Sequence, residues 1–280
     1  MITPKMTTHA GVDVPRIIYG TAWKAERTTR LVETALLAGF IGIDTACQPK
    51  HYHEPGVGEG LSNVQSRGID SADIFVQTKF TPLRGHDPKR IPYDARAPLP
   101  LQVEQSFVRS EAHLGAGNID SLVLHSPLSS QHETLMVWRA MERIHQENRV
   151  GQLGLSNCYD VGFFQWLLKT SSVKPAVLQN RFYRETGYDK QLRRICRDQG
   201  IAYQSFWTLT ANRELLSSQA LVKVATGQEK TVAQILFRWL TQMGACPLTG
   251  TTSSIHMRQA LEIFDFELDA RELKVIEELL

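Results

Sequence analysis

Eight short apolar runs recur along the chain, separated by helical patterns. They are Arg16–Tyr19, Phe40–Ile43, Ile74–Thr78, Asp120–Leu124, Gln152–Leu155, Ala176–Leu178, Ile201–Ser205 and Ala245–Leu248. Each is rich in Val, Ile, Leu or Phe and lacks clean alternation with polar residues. Strands buried on both faces read this way, and parallel sheets are built from them.

The intervening segments carry the period of amphipathic helices. Val232, Ile235, Leu236, Trp239, Leu240 and Met243 follow an i, i+3, i+4, i+7 pattern. Thr231 and Gln234 form a capping box at its start, and Gly244 suits its end. Val137, Trp138, Met141 and Ile144 mark a second helix, and Leu31, Val32, Ala35 and Leu36 a third. Asp269 and Glu272 make another capping box before Leu273 and Ile276. Eight strand–helix units in 280 residues average about 35 residues each, a normal length for the unit repeated in a (β/α)₈ barrel. The pattern predicts a (β/α)₈ TIM barrel, a single α/β domain over residues 1–280. An open doubly wound sheet is the rival. It would usually carry a Gly-x-Gly-x-x-Gly turn after its first strand, and Gly20 stands there without one.

Residues 80–100 break the rhythm. This stretch holds Gly85, Pro88, Pro92, Pro98, Pro100 and five basic residues, counting His86 with four Lys and Arg, without a period. It reads as a long loop over the active-site face, where such loops usually serve function. The charge balance, 31 basic against 29 acidic residues, calls for neither nucleic acid nor an anionic membrane. No apolar run approaches the roughly 20 residues needed to span a bilayer, and the start of the chain lacks a secretory apolar segment. Cys47, Cys158, Cys196 and Cys246 are widely spaced, with no Cys-x-x-Cys pair, which suits a reducing compartment. The expectation is a cytoplasmic protein.

In a barrel of this type the active site lies where the strands end. The second strand runs into Asp44, the third into Lys79, the fourth into His125, the fifth into Ser156 and Asn157, and the sixth into Gln179 and Asn180. Any one of these could be a cap, a surface residue or a satisfied core residue. An acid, a base and an imidazole on three consecutive strand ends are costly inside a barrel unless they pair. An Asp–Lys pair beside a proton donor can lower that donor's pKa. His51, Tyr52 and His53 follow Asp44 in the next loop. His51, His53, His125 and Asp44 could alternatively hold a metal for a barrel hydrolase.

These residues carry a resemblance to the aldo-keto reductase superfamily. Ile43-Asp44-Thr45-Ala46, Glu54 with Val57-Gly58, Thr78-Lys79, Leu124-His125-Ser126-Pro127, Gly154-Leu155-Ser156-Asn157 and Gln179-Asn180 occur in the family's order, from Gly20 to about Leu261. The resemblance implies a (β/α)₈ barrel binding a nicotinamide cofactor without a Rossmann fold. It also implies hydride exchange with a small carbonyl compound or alcohol, with no metal and in a monomer. The implied catalytic residues are Asp44, Tyr52, Lys79 and His125. Tyr52 would be the general acid, tuned by Lys79 and Asp44, with His125 polarising the carbonyl. The family spaces its Asp and Tyr by five residues, whereas Tyr52 lies eight after Asp44. Counting back from Glu54 places His51 at the Tyr position, so His51 is the alternative donor. Some members of the superfamily serve instead as cofactor-sensing partners of membrane channels, a reading that the retained catalytic set opposes.

The resemblance further implies a cofactor site built from Gly20, Thr21, Asp44, Ser156, Asn157, Gln179, Phe206, Trp207, Thr208, Leu209, Gly250, Thr251, Thr252 and His256. Ser156, Asn157 and Gln179 would hold the carboxamide, and Phe206 would stack on the nicotinamide. Gly250 and His256 stand where the family places a Lys and an Arg on the NADP 2′-phosphate. NADP is the expected cofactor, with NAD the alternative.

Overall fold

The computed structural model describes residues 4–115 and 119–280. A closed barrel of eight parallel strands forms its centre. They are β3 (Ile18–Gly20), β4 (Gly42–Asp44), β5 (Phe75–Phe80), β6 (Ser121–Leu124), β7 (Gln152–Ser156), β8 (Val177–Arg181), β9 (Ala202–Phe206) and β10 (Ala245–Thr249). The sheet closes where β10 pairs with both β9 and β3. The predicted TIM barrel is therefore the observed fold, and each predicted run contributes one barrel strand.

Before the barrel, β1 (Lys5–Thr7) and β2 (Asp13–Pro15) form an antiparallel hairpin. It plugs the end opposite the strand C-termini. Val14 packs with Ile18, Phe75, Val123, Val177, Ala202 and Cys246, and the Thr8 hydroxyl donates to Gln152 Oε1 at 2.7 Å. The sequence did not announce this hairpin, because three-residue strands are too short to show a period.

Successive strand residues face opposite sides. The interior consequently has two levels, an apolar floor made by the Val14 cluster and a polar level above it made by Asp44, Gln77, Gln179 and Gln204, all nearly inaccessible. The larger apolar core lies between the barrel and its helices. Helices α1 (Thr28–Ala38), α2 (Glu54–Gln65), α3 (Leu99–Leu114) and α4 (Gln131–Gln146) cover the first half. Next come α5 (Val161–Thr170), α6 (Lys190–Asp198), α7 (Arg213–Leu216), α8 (Gln219–Gly227), α9 (Val232–Gln242), α10 (Ser254–Leu261) and α11 (Ala270–Glu277). Both capping boxes form, Thr231 with Gln234 and Asp269 with Glu272. Gly244 takes φ +83° just beyond α9, a conformation that side chains disfavour. Trp239 is fully buried and donates through Nε1 to the Leu273 carbonyl, fastening α9 to α11.

The segment after β5 runs without long secondary structure to α3. Leu99 and Pro100, read as loop from the sequence, open α3 instead, because proline is tolerated in a first helical turn. The segment folds back onto its own start. The Thr81 carbonyl accepts from Tyr93 Oη at 2.8 Å and from His86 Nε2 at 2.9 Å.

Gly58 shows what close helix packing demands. A Cβ there would lie 1.7 Å from the His113 carbonyl oxygen at the end of α3. Backbone cannot yield as a side-chain tip can. Gly58→Ala should therefore destabilise the protein by at least the upper part of the roughly 1–3 kcal/mol range for overpacking. Urea unfolding of the variant checks this, and an unchanged midpoint would refute it.

Candidate active site

The polar level of the barrel is organised around one carboxylate. Asp44 ends β4, and both of its oxygens accept from Lys79 Nζ on β5 at 2.6 Å. Lys79 also donates to the Thr45 carbonyl at 2.8 Å. Asp44 Oδ1 accepts further from Gln77 Nε2 at 2.7 Å and Gln179 Nε2 at 2.9 Å. Gln204 Oε1 receives the same two amides at 2.7 and 2.8 Å. Four strands thus share one buried hydrogen-bonded network. Burial pulls the Lys79 ammonium below the usual lysine range, against the attraction of Asp44.

Tyr52 and His125 stand on this platform. The Tyr52 ring lies 5.2 Å from Lys79 Nζ and meets the His125 ring edge-on, 6.0 Å between centroids. Burial foremost, and then the Asp44 carboxylate, push the phenol well above its usual pKa. It is a protonated donor in this state. His125 Nδ1 lies 2.7 Å from the Thr81 hydroxyl, and Asn157 Nδ2 donates to the His125 carbonyl at 2.8 Å. Burial, followed by the charge of Lys79, holds this imidazole well below its ordinary pKa. When Thr81 donates to Nδ1, the neutral ring keeps its proton on Nε2.

His51 takes a different place. Its ring lies on Trp23, 3.9 Å between centroids, and its carbonyl accepts from the Trp23 amide at 2.7 Å. It lines the cleft without joining the Asp44–Lys79–His125 group. His53 is exposed over Gly56 at the start of α2 and does not line the cleft. The four-residue metal set is therefore not assembled. The described donors that do come within 4.8 Å of one another are Cys47, Glu54 and His113. There Glu54 already receives Thr78, Ser110 and His113.

A cleft of about 1390 Å³ opens over this platform. Of the residues expected to hold a cofactor, it is lined by Gly20, Asp44, Asn157, Gln179, Phe206, Trp207, Thr208, Leu209, Gly250, Thr251 and His256. Three others stand elsewhere. Thr21 is fully buried and donates through its hydroxyl to the Asp44 carbonyl at 2.9 Å. Ser156 is fully buried and donates to the Gln179 carbonyl at 2.7 Å. Thr252 is exposed outside the cleft wall. Trp207 has φ +55° and is 48% exposed. Its indole is braced by the Arg181 guanidinium, 4.3 Å from the ring centroid. Gln77, Gln204, Thr81, Arg181 and Lys24 belong to the platform or the cleft and were not singled out from the sequence. Gln77 and Gln204 sit inside strand runs, where a polar residue signals only an interruption.

Residues 16–280 match the family model described as the Aldo/keto reductase family. The chain belongs to the aldo/keto reductase family. It is 28% identical to the uncharacterised oxidoreductase YtbE of Bacillus subtilis, over 98% of this chain and 92% of that one. It is 27% identical to the glyoxal reductase of the same organism, over 97% and 91%. It is 26% identical to the NADPH-dependent D-xylose reductase of Meyerozyma guilliermondii, over 98% and 93%. Among solved structures, an aldo/keto reductase from Brucella melitensis superposes with a TM-score of 0.83 at 27% identity, covering all of both chains. The family reading made from the motifs therefore holds, and with it an oxidoreductase of the aldo/keto reductase type. Among the described residues, no helix is long and apolar enough to cross a membrane.

The depressed His125 pKa has a consequence for stability. The unfolded imidazole takes up a proton below about pH 6.5 while the folded one does not, so stability is lost as pH falls through that region. His125→Gln removes the effect. Between pH 6.5 and 5.5 the wild type should lose about 1 kcal/mol more than the variant. Urea unfolding at both pH values measures the difference, and parallel losses would contradict the assignment.

Proposed function

We propose that this protein reduces the carbonyl group of small aldehydes or ketones with NADPH, reversibly, and that it also accepts NADH. The observation that carries the reading is the Tyr52 phenol beside the buried Lys79–Asp44 pair and facing His125. A carbonyl oxygen in front of Tyr52 and His125 meets two neutral donors as negative charge builds on it. Tyr52 gives its proton to that oxygen, and the Lys79 ammonium stabilises the phenolate left behind. His125, held by Thr81, orients the carbonyl. The relatives named glyoxal reductase and D-xylose reductase support a carbonyl substrate here.

The cleft fits a nicotinamide dinucleotide. Phe206 offers an aromatic face near the platform. Gln179 and Asn157 add polar groups to the cleft lining. Gly250, Thr251 and His256 continue the lining toward α10. When bound, the dinucleotide supplies the hydride that the substrate carbon accepts. Asp44 acts from beneath, fixing Lys79 and Gln179 in position.

Absorbance of NADPH at saturating carbonyl tests the assignment. Tyr52→Phe should lower turnover by roughly 10²–10⁴-fold, the range for a lost general acid. His51→Ala should be the milder change, and the reverse order would move the acid to His51. Lys79→Met should abolish turnover while dinucleotide affinity stays near wild type, because its charge acts on the transition state. Near wild-type turnover in that variant would remove Lys79 from the mechanism.

A further inference from the structure

On the outer face of the barrel, a thiol, a carboxylate and an imidazole converge. Cys47 Sγ, a Glu54 carboxylate oxygen and a His113 ring nitrogen all lie within 4.8 Å of one another. None of these residues lines the cleft. Gln77 and Lys79 point into the barrel, so Thr78 between them faces outward. Its hydroxyl donates to Glu54 Oε1, at the first residue of α2, at 2.5 Å. Cys47 belongs to the loop after β4, where its amide donates to the Lys79 carbonyl at 3.3 Å. His113 comes from the last turn of α3, and its Nδ1 lies 2.9 Å from Glu54 Oε2. Gly58, one turn beyond Glu54 on α2, leaves the room in which that end of α3 sits.

The face of α3 that meets Glu54 is polar where a buried helix face is usually apolar. Ser106, Ser110 and His113 recur along it at i, i+4 and i+7, and both serines are buried. Ser110 Oγ lies 3.1 Å from each Glu54 oxygen. Ser106, Ser110 and Glu54 surround the buried Cys47 thiol within hydrogen-bonding reach. Burial, and then the Glu54 carboxylate, push that thiol up to about 12. Thiolate, imidazole and carboxylate are ordinary zinc ligands, and their donor atoms stand roughly 3.5 Å apart in a tetrahedral site. The 2.9 Å contact between His113 and Glu54 needs to open by only about half an ångström to fit. A carboxylate has lone pairs enough to keep Thr78 and Ser110 as outer partners while one oxygen takes a metal. The His113 side chain is 27% exposed, so an ion and a water ligand can enter from its side.

We propose that Cys47, Glu54 and His113 form a binding site for a zinc-like divalent cation, with water as the fourth ligand, outside the catalytic cleft. On binding, the Cys47 thiol gives its proton to solvent and the thiolate sulfur takes the metal. The neutral His113 ring binds through Nδ1 and keeps its proton on Nε2. The ion ties the loop after β4, the start of α2 and the end of α3 together, behind the strand that carries Lys79.

Titration of the tag-free chain with Co²⁺, followed by absorbance, tests this without turnover. A thiolate-to-cobalt charge-transfer band should appear in the near ultraviolet and vanish when Zn²⁺ displaces the cobalt. Cys47→Ser should lack the band. His113→Ala should raise Kd by more than the roughly 10–100-fold that an outer partner is worth, and Ser110→Ala should fall within that range. Binding should tighten as pH rises from about 6 to about 8, because the thiol proton has to leave. No band in the wild type overturns the proposal. A band of wild-type affinity in Cys47→Ser moves the metal to another cysteine and overturns it equally. Circular dichroism and a melting curve show whether each variant folds. If Cys47→Ser does not, His113→Ala, at the partly exposed end of α3, decides the matter, and an unchanged Kd there overturns the site.

Discussion

The buried pairing of Asp44 with Lys79 is the constraint around which the barrel mouth is built. Two charges removed from water are costly, and direct attraction offsets that cost only when the remaining lone pairs and protons are also satisfied. Here they are. The carboxylate receives Lys79, Gln77 and Gln179, and the ammonium spends another proton on the Thr45 carbonyl. Gln204 then holds the two glutamine amides in place. Since these residues come from β4, β5, β8 and β9, the network forms only when the barrel closes in one register. A slip by one residue would turn each of these side chains to the outer face.

That dependence separates the barrel into two regions. The floor, from Ile18 to Cys246, is apolar and plugged by the hairpin, so it answers to packing. The level above is polar and opens to the cleft. His125 is joined to it indirectly. Its ring faces the Thr81 hydroxyl, and the Thr81 carbonyl is gripped by Tyr93 and His86 from the long segment after β5. The proline-rich segment thus positions the imidazole as well as bordering the cleft through Thr81 and Gly85.

The barrel was legible in the sequence because its strands are buried on both faces and its helices carry caps at the expected spacing. Asp44, Lys79 and His125 were legible because a charged residue closing an apolar run is conspicuous. What the sequence hid were relations across the sheet. Gln77 and Gln204 meet only through the register of the closed barrel, and Lys24 meets Gly250 only where the last strand joins the first. The family resemblance puts Thr21 and Ser156 in the cofactor site by their position along the chain, and the fold turns both hydroxyls onto backbone carbonyls. Sequence position does not say on which side of the cleft wall a side chain lies. Trp207 lines the cleft, but nothing in the sequence shows its left-handed backbone.

The choice between Tyr52 and His51 shows why counting along a loop is a weak guide to geometry. The loop after β4 carries three residues more than the family spacing, and the structure folds them into a turn at Gln48. The Gln48 carbonyl accepts from the amides of His51 and Tyr52, and its side chain is tied to the Gly85 carbonyl at 2.8 Å. The turn takes up the extra length within the loop, so that α2 still begins at Glu54. On its far side, the Trp23 amide fixes the His51 carbonyl and the indole covers the His51 ring. With His51 held there, Tyr52 is the residue that reaches Lys79. In this loop Tyr52 is the residue that faces the ammonium above the Asp44–Lys79 platform. Distance to a buried charge, rather than distance along the chain, decides which side chain can serve as the acid.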